Sequence, residues 1–269
     1  MLTSLELIDW GQFGYPQIPE WLAHLQSPNQ WIRNDSYSKL QSRILYGNAS
    51  FQDIDLGFGA EQIFSSEILL LLAPCLIAHL REAQKEAYPY LLSFLGEAAG
   101  FVRLEHAQGI FLERASRLHE IIWGGLDEYL RILQRSNEHL AVTAGWLLCE
   151  YPEHFRHLYP IMLTTIKRLS EDKQRARLLW YVYRVIAQQE KMPEDFSRLL
   201  MQATEAEDYP ISSVTAAICF VDRFRKNAPE QAINNVVQLV ADIDAHRYDA
   251  GGLPPGYEYA LIIMREEWG

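Results

Sequence analysis

The chain has 269 residues, of which 49% are hydrophobic and 22% charged, and its formal net charge is −11. This composition excludes collagen, low-complexity chains and disulfide-stapled mini-proteins, and it is typical of a globular protein with a substantial core. The first ten residues carry Glu6 and Asp9 but no basic group, so we expect no secretory signal and a cytoplasmic protein.

Apolar residues recur at three- and four-residue spacing along almost the whole chain, which predicts an all-α protein. The predicted helices, in chain order, are 18–25, 28–46, 66–82, 88–103, 111–135, 137–150, 153–169, 172–190, 194–205, 209–226, 229–244 and 257–267. We expect Gly124 and Gly125 to break the fifth helix. Trp31, Ile32 and Leu40 supply apolar positions of the second. Residues 47–65 lack periodicity and are predicted to form a loop. The longest apolar run, 68–78, is too short to cross a membrane.

Short polar sequences precede alternate helices at regular intervals. SNEHLAVTAGWLL begins at Ser136, SEDKQRARLLWYV at Ser170 and AEDYPISSVTAAICF at Ala206, so the intervals are 34 and 36 residues. The polar residues can satisfy the free N–H groups of a helix start, and the alanines allow close helix packing. Hairpins repeated at this interval predict an α-solenoid, because a single hairpin cannot bury its apolar face.

We therefore predict one domain, residues 1–269, folded as a right-handed α-solenoid of about six antiparallel helical hairpins. The hairpins span roughly 17–46, 66–103, 111–150, 153–190, 193–226 and 228–267. The Gly- and Pro-rich segment 249–257 is expected to cap the end of the stack, since terminal repeats need atypical covering. Such a stack offers an extended concave face for binding, and we favour a monomer.

The first hundred residues resemble bacterial HEAT-like repeat proteins, members of the HEAT/armadillo superfamily of α-solenoids. The matching positions are Ile8-Asp9-Trp10, Pro19, Leu22, Ser27-Pro28-Asn29 and Arg33, then Pro74, Leu76, Ile77 and Leu80. The remaining chain shares only the repeat rhythm, and the basic position of Arg33 corresponds to Val142 in the third repeat and Ser212 in the fifth. The resemblance implies a stacked, partner-binding superhelix. Because some HEAT-like proteins are alkylpurine DNA glycosylases, it also implies nucleic-acid binding as an alternative.

No motif in the chain points to catalysis. Gly57-Phe58-Gly59 lacks the third glycine and the preceding strand of a dinucleotide site. His154 and His157 share a helical face, but no further ligands complete a metal site. Cys149 lies near His154, but its apolar sequence context is typical of a buried thiol. Cys75 and Cys219 have similar apolar contexts. We therefore expect no enzymatic activity, no metal and no cofactor.

The fourth predicted hairpin is basic in an otherwise acidic chain. It carries seven basic and four acidic side chains over residues 151–190. Helical spacing places arginine and aromatic side chains side by side there, and the next hairpin can extend the patch. An arginine–aromatic stripe can bind an acidic partner, phosphates or unstacked bases. The alternative is a set of core aromatics under a solvated, ion-paired arginine face. The candidate binding residues are Arg177, Trp180, Tyr181, Arg184 and Arg223.

These observations predict a non-enzymatic protein–protein interaction module, a scaffold or adaptor that binds through its concave helix face. A more specific version is an immunity-type antidote, because an acidic protein is suited to neutralising a basic toxin domain. The alternative is a nucleic-acid-binding or alkylpurine DNA glycosylase-like protein that uses the basic and aromatic fourth hairpin. A lyase-like HEAT protein that handles a chromophore would need a large apolar groove.

Overall fold

The computed structural model describes residues 8–45, 68–82, 85–108, 112–205, 210–244 and 253. Over these ranges the chain is all-helical, with twelve α-helices and no strand, as the periodicity predicts. In the same ranges no helix is long and apolar enough to cross a membrane. The predicted loop 47–65 and the predicted last helix 257–267 lie outside the described residues, as does the segment 249–257 apart from Leu253.

The described helices begin within two residues of their predicted starts, and the predicted fifth helix forms two helices, α5 and α6. In chain order they are α1 (Ile18–His24), α2 (Gln30–Leu40), α3 (Ile68–Glu82), α4 (Tyr88–Gln108), α5 (Leu112–Trp123), α6 (Leu126–Arg135), α7 (Glu138–Cys149), α8 (Phe155–Arg168), α9 (Asp172–Ile186), α10 (Glu194–Glu205), α11 (Pro210–Phe224) and α12 (Glu230–Asp244). A π-helical turn at Gln41–Leu45 extends α2.

The chain divides into two compact units, residues 1–135 and 136–269. In the first unit α3 is the central helix, since it packs against α4, α5 and α6. Most of its side chains between Ile68 and Leu80 are buried, because nearly every residue there is apolar. The helix runs through Pro74, which lies at an exposed position.

The hairpin of α1 and α2 is held to α4 by polar side chains. Glu97 of α4 accepts hydrogen bonds from the Tyr37 hydroxyl (3.0 Å) and from Gln41 Nε2 (2.9 and 3.0 Å). Leu40 is buried, as the apolar spacing predicts. Trp31, by contrast, is 82% exposed and Ile32 is 39% exposed, so their predicted contribution to a buried face is wrong. Periodicity reports the spacing of apolar residues but not whether a neighbouring element covers them.

The predicted break at Gly124-Gly125 is confirmed, since α5 ends at Trp123 and α6 begins at Leu126. A Cβ atom at Gly125 would collide with the hydroxyl of Tyr129. That hydroxyl is buried and donates a hydrogen bond to the Ile122 carbonyl (2.9 Å), and burial raises its pKa well above the usual range. The predicted third hairpin, 111–150, therefore contains three helices instead of two.

In the second unit α7, α9 and α11 lie side by side in this order. Helix α8 packs on α7 and α9, whereas α10 and α12 pack on α11. The three neighbouring helices are parallel, because the start of each is bonded to the start of the next. At the other end, the Tyr183 hydroxyl of α9 donates a 2.5 Å hydrogen bond to Asp222 of α11.

An acidic residue at the first position of one helix caps the start of the parallel helix beside it. Glu138 of α7 accepts hydrogen bonds from the N–H groups of Ser170 (2.8 Å) and Glu171 (2.7 Å) and from the Ser170 hydroxyl (2.5 Å), just before α9. Asp172 of α9 accepts them from the N–H groups of Ile211 (2.8 Å) and Ser212 (3.1 Å) of α11. The recurring polar sequence thus satisfies helix-start N–H groups, as predicted: Asn137 caps its own helix, and the two acids cap the neighbouring parallel helix.

Two arginines show that α2 and α9 start in the same way. The Arg33 guanidinium donates to the carbonyl of Ser27 (2.6 Å), and Arg175 Nε donates to the carbonyl of Leu169 (3.0 Å), six residues earlier in each case. Each arginine also follows the N-cap residue of its helix by four positions. In the fourth repeat, Arg175 therefore occupies the position of Arg33.

Candidate functional site

Helix α9 leaves one side uncovered. Arg177 and Tyr181 are half-buried, and Arg184 and Gln188 are exposed, whereas most of the intervening side chains are buried. The spacing of four and three residues keeps Arg177, Tyr181 and Arg184 on the same side of the helix, and Gln188 lies in the turn just after its end. Three of the sequence-predicted residues, Arg177, Tyr181 and Arg184, therefore share an accessible stripe.

Helix α7 contributes a tryptophan to the same surface. The ring centroids of Trp146 and Tyr181 lie 6.5 Å apart at an interplanar angle of 43°, within the range of an aromatic pair. Trp146 is half-buried like its partner. We call the set of Trp146, Arg177, Tyr181 and Arg184 the arginine–aromatic surface.

Burial raises the pKa of Tyr181 above its usual value, and the positive charges of Arg177 and Arg184 oppose this shift without overcoming it. The hydroxyl is therefore protonated at neutral pH and can both donate and accept a hydrogen bond. The nearby carboxylate of Glu150 acts in the same direction as burial. That carboxylate belongs to a residue only 6% exposed, so it lies beneath the surface.

The two arginines of the surface have no hydrogen-bond or ion-pair partner in the part of the chain that the structure describes. Neither the Arg177 nor the Arg184 guanidinium makes a hydrogen bond or an ion pair with any described residue. The expectation that neighbouring carboxylates pair with this arginine face is therefore wrong for these two side chains. Lys173, one turn before Arg177, is half-buried and likewise makes no such bond within the described part of the chain. The stripe thus offers three positive charges to an external anion.

Trp180, the fourth predicted residue, belongs to the core instead of the surface. It is 6% exposed and lies 5.6 Å from the Tyr183 ring. Trp180 and Trp146 occupy equivalent repeat positions, 34 residues apart. Helix α9 lies between α7 and α11. Trp180 of α9 is buried, whereas Trp146 of α7 stays partly accessible.

Arg223, the fifth predicted residue, has a structural role. Its guanidinium donates to three backbone carbonyls just beyond α9, those of Ala187 (3.2 Å), Gln189 (2.8 Å) and Glu190 (2.6 Å). A helix C-terminus carries unsatisfied carbonyls and a partial negative charge, so an arginine there stabilises the helix end. Arg223 therefore does not extend the arginine–aromatic surface.

The sequence reading missed Trp146, although a signal for it exists. His139, Thr143 and Trp146 follow each other at four and three residues, the same spacing as Arg177, Tyr181 and Arg184. Two polar residues on that stripe mark it as the accessible side of α7. The Thr143 hydroxyl is satisfied within the helix, since it donates a hydrogen bond to the His139 carbonyl (3.0 Å).

A separate pocket of about 260 Å³ lies between α8 and α10, above α9. Ile166, Leu179, Leu199 and Ala203 form its apolar walls, and Lys167 lies among its lining residues. Its volume is below the roughly 300–1,000 Å³ typical of small-molecule sites. It does not provide the large apolar groove that a chromophore lyase would need.

The other chemical candidates are buried or incomplete. Cys75, Cys149 and Cys219 are buried, as predicted, and none of them forms a disulfide bond with a described residue; burial raises the pKa of the Cys219 thiol well above its usual value. A thiol with a raised pKa is a poor nucleophile. In the described ranges, no group of three His, Cys, Asp or Glu side chains is arranged to hold a metal ion.

No model of a protein family matches the chain, and no curated protein matches it significantly. The resemblance to HEAT-like repeat proteins therefore stays a prediction. The functional argument depends on the arginine–aromatic surface itself.

Proposed function

We propose that the protein is a non-enzymatic interaction module that binds a partner protein through the arginine–aromatic surface. One observation carries this proposal: two arginines that form no ion pair with a described residue flank a half-buried Trp–Tyr pair. Tryptophan, tyrosine and arginine are the residues that most often dominate binding energies at protein interfaces. An arginine that is already unpaired binds a carboxylate without first breaking an internal ion pair.

The proposal includes the architecture predicted from the sequence. In it, the chain is a right-handed superhelix of about six HEAT-like hairpins and serves as a cytoplasmic scaffold or adaptor. The parallel order of α7, α9 and α11, with the acid of one helix capping the start of the next, supports this view. Repeat proteins present extended binding faces through helices arranged in this way.

The charge of the surface favours an acidic partner segment. Lys173, Arg177 and Arg184 place three positive charges on one stripe, although the whole chain has a net charge of −11. An immunity-type antidote to a basic toxin domain is supported by the net charge alone and would have to use an acidic part of the surface. We therefore place the acidic partner first.

Single-stranded nucleic acid is the second candidate, because arginine planes and aromatic rings also stack with unpaired bases. The net charge of −11 opposes it, since a polyanion is repelled at long range by an acidic protein. A glycosylase-like activity would use the same surface and would require nucleic-acid binding there.

The test is a pull-down from native lysate with the tagged protein, half of it treated with nuclease, read by mass spectrometry. It compares the unchanged chain with a double variant, Arg177→Glu and Arg184→Glu. The matched control is Arg156→Glu with Arg198→Glu, because both residues are exposed arginines of the same unit, on α8 and α10, and the charge change is identical.

We expect a stoichiometric protein that survives nuclease, that is lost with the Arg177/Arg184 variant and that is retained by the control variant. Equal capture by all three chains would refute binding at this surface. A signal that disappears with nuclease would replace the protein partner by nucleic acid.

A further inference from the structure

We infer that the arginine–aromatic surface binds a helical segment of its partner, with two carboxylates seven residues apart and an apolar side chain between them. This inference rests on the proposed function and specifies the chemistry and geometry of the partner at the same site. It follows from the spacing of the two arginines and from what lies between them.

The spacing of the arginines matches the geometry of a second helix. Arg177 and Arg184 are seven residues apart on α9, which corresponds to about 10.5 Å along the helix axis. In a partner helix, side chains at positions i and i+7 lie on one face with the same rise of about 10.5 Å. In an extended segment, side chains on one face recur about every 6.7 Å, so the available separations are roughly 6.7 and 13.3 Å. Neither extended separation fits the arginine pair.

The centre of the surface is apolar. Tyr181 lies between the two arginines along α9 and contacts Trp146 of the neighbouring helix α7. A partner side chain at i+3 or i+4, between the two carboxylates, meets these rings. Amphipathic helices bind in grooves with anchor residues at these spacings.

The groups of α7 that lie near the arginine–aromatic surface do not compete for the arginines. His139 is exposed, and the Thr143 hydroxyl is bonded to the His139 carbonyl. Glu150, the acid next to α7, is buried. The positive charges therefore remain available to the carboxylates of a partner.

The number of charges favours a peptide helix over a nucleic-acid strand. The helix brings two carboxylates for the two arginines, and each charge-assisted pair is stronger than a neutral hydrogen bond. A nucleic-acid strand brings additional phosphates toward a chain of net charge −11, and Lys173 is the one further positive charge on the same stripe of α9.

The experiment uses two fluorescein-labelled, alanine-based peptides of about 20 residues, a length at which helices form in water. They have the same composition. The first carries Glu at i and i+7 with Leu at i+4; the second carries Glu at i and i+5, which places the carboxylates on different faces. Fluorescence anisotropy measures the binding of each to the full-length protein.

We expect the first peptide to bind at least tenfold more tightly than the second, and Arg184→Glu to weaken it at least tenfold. The matched control, Arg156→Glu with Arg198→Glu, leaves binding of the first peptide unchanged. A third peptide with Lys at i+7 should recover affinity for Arg184→Glu. Because recovery requires a folded protein, it separates a lost contact from a misfolded variant.

Equal affinity for the first two peptides, or no recovery by the charge exchange, overturns the inferred helical partner. Tighter binding of a twelve-nucleotide single strand than of the first peptide overturns the choice of a protein. If the peptides fail while the lysate partner is still lost with the Arg177/Arg184 variant, only this inference fails. If lysate capture is unaffected by that variant, the proposed function fails as well.

Discussion

Asp172 links two helices of the second unit, so removing its carboxylate tests how the helix stack is held together. The side chain accepts hydrogen bonds from the N–H groups of Ile211 and Ser212 at the start of α11. Ser212 is fully buried and Ile211 is half-buried. Water therefore cannot readily replace the carboxylate at Ser212. We expect Asp172→Ala to destabilise the fold through the start of α11.

The size of the effect follows from two contributions. Leaving a buried N–H group without an acceptor costs about 1–3 kcal/mol. Losing a favourable charge in the first turn of α9 adds about 0.3–1 kcal/mol. Together they predict a loss of roughly 1.3–4 kcal/mol for Asp172→Ala. Asp172→Asn keeps an acceptor oxygen and loses only the charge, so its loss should be about 1 kcal/mol.

The assay is urea unfolding followed by circular dichroism, combined with hydrogen exchange of the amides of Ile211 and Ser212. Glu194→Ala is the control, because Glu194 lies in the first turn of α10, is exposed and makes no hydrogen bond or ion pair with a described residue. It should cost less than about 1 kcal/mol. If Asp172→Ala destabilises no more than Glu194→Ala, or the two amides stay protected, the helix-to-helix cap does not stabilise the fold.

Three further predictions concern single side chains. The hydrogen bond from the Ser170 hydroxyl, together with those from backbone N–H groups, lowers the pKa of Glu138 in the folded state. The ionised Glu138 side chain therefore stabilises the fold above the unfolded pKa of about 4.3, and this stabilisation is lost as the pH falls through the folded pKa. The stability gap between the native chain and Glu138→Gln, from urea unfolding at several pH values, should narrow below about pH 4.3. Arg223→Met should lower the free energy of unfolding by about 1–3 kcal/mol, because three carbonyls lose their donor; an unchanged urea midpoint would contradict that role. Trp180→Ala should lower the free energy of unfolding by about 3–5 kcal/mol, because Trp180 lies in the core. Trp146→Ala should lower it clearly less and should weaken partner binding. Comparable losses of stability in thermal unfolding would refute the distinction between the two tryptophans.

Helix positions could be predicted from the sequence because periodicity and helix-start residues act locally. The starts at Asp172 and Glu194 agree with prediction, and so does the break at Gly124-Gly125. Gly125 is required there because Tyr129 occupies the space of a Cβ atom. Local signals of this kind need no knowledge of neighbouring elements.

Side-chain partners could not be predicted, since they depend on which helices meet. Trp146 and Trp180 occupy equivalent repeat positions, yet one lies on the surface and the other in the core. Arg223 is predicted to extend a basic patch, but from α11 it binds the carbonyls at the end of α9. Glu138 and Asp172 have the spacing of acids at their own helix starts, although each caps the start of the neighbouring parallel helix.

The accessible stripe of α9 could be predicted from the sequence only in part. The spacing of Arg177, Tyr181 and Arg184 places them on one side of the helix, and that can be read from the sequence. That the two arginines lack ion pairs can be known only from the surrounding helices. The aromatic partner Trp146 likewise comes from a different helix.

Site-specific photo-crosslinking tests the central claim most directly. A photoreactive benzoylphenylalanine replaces Gln188, which is exposed at the end of the stripe, or Arg198, which is exposed on α10 as a control. After irradiation in native lysate, adducts are identified by mass spectrometry. The account predicts a single protein adduct from position 188, lost with Arg177→Glu and Arg184→Glu, and none from position 198. An adduct formed equally from position 198, or to nucleic acid alone, would contradict it.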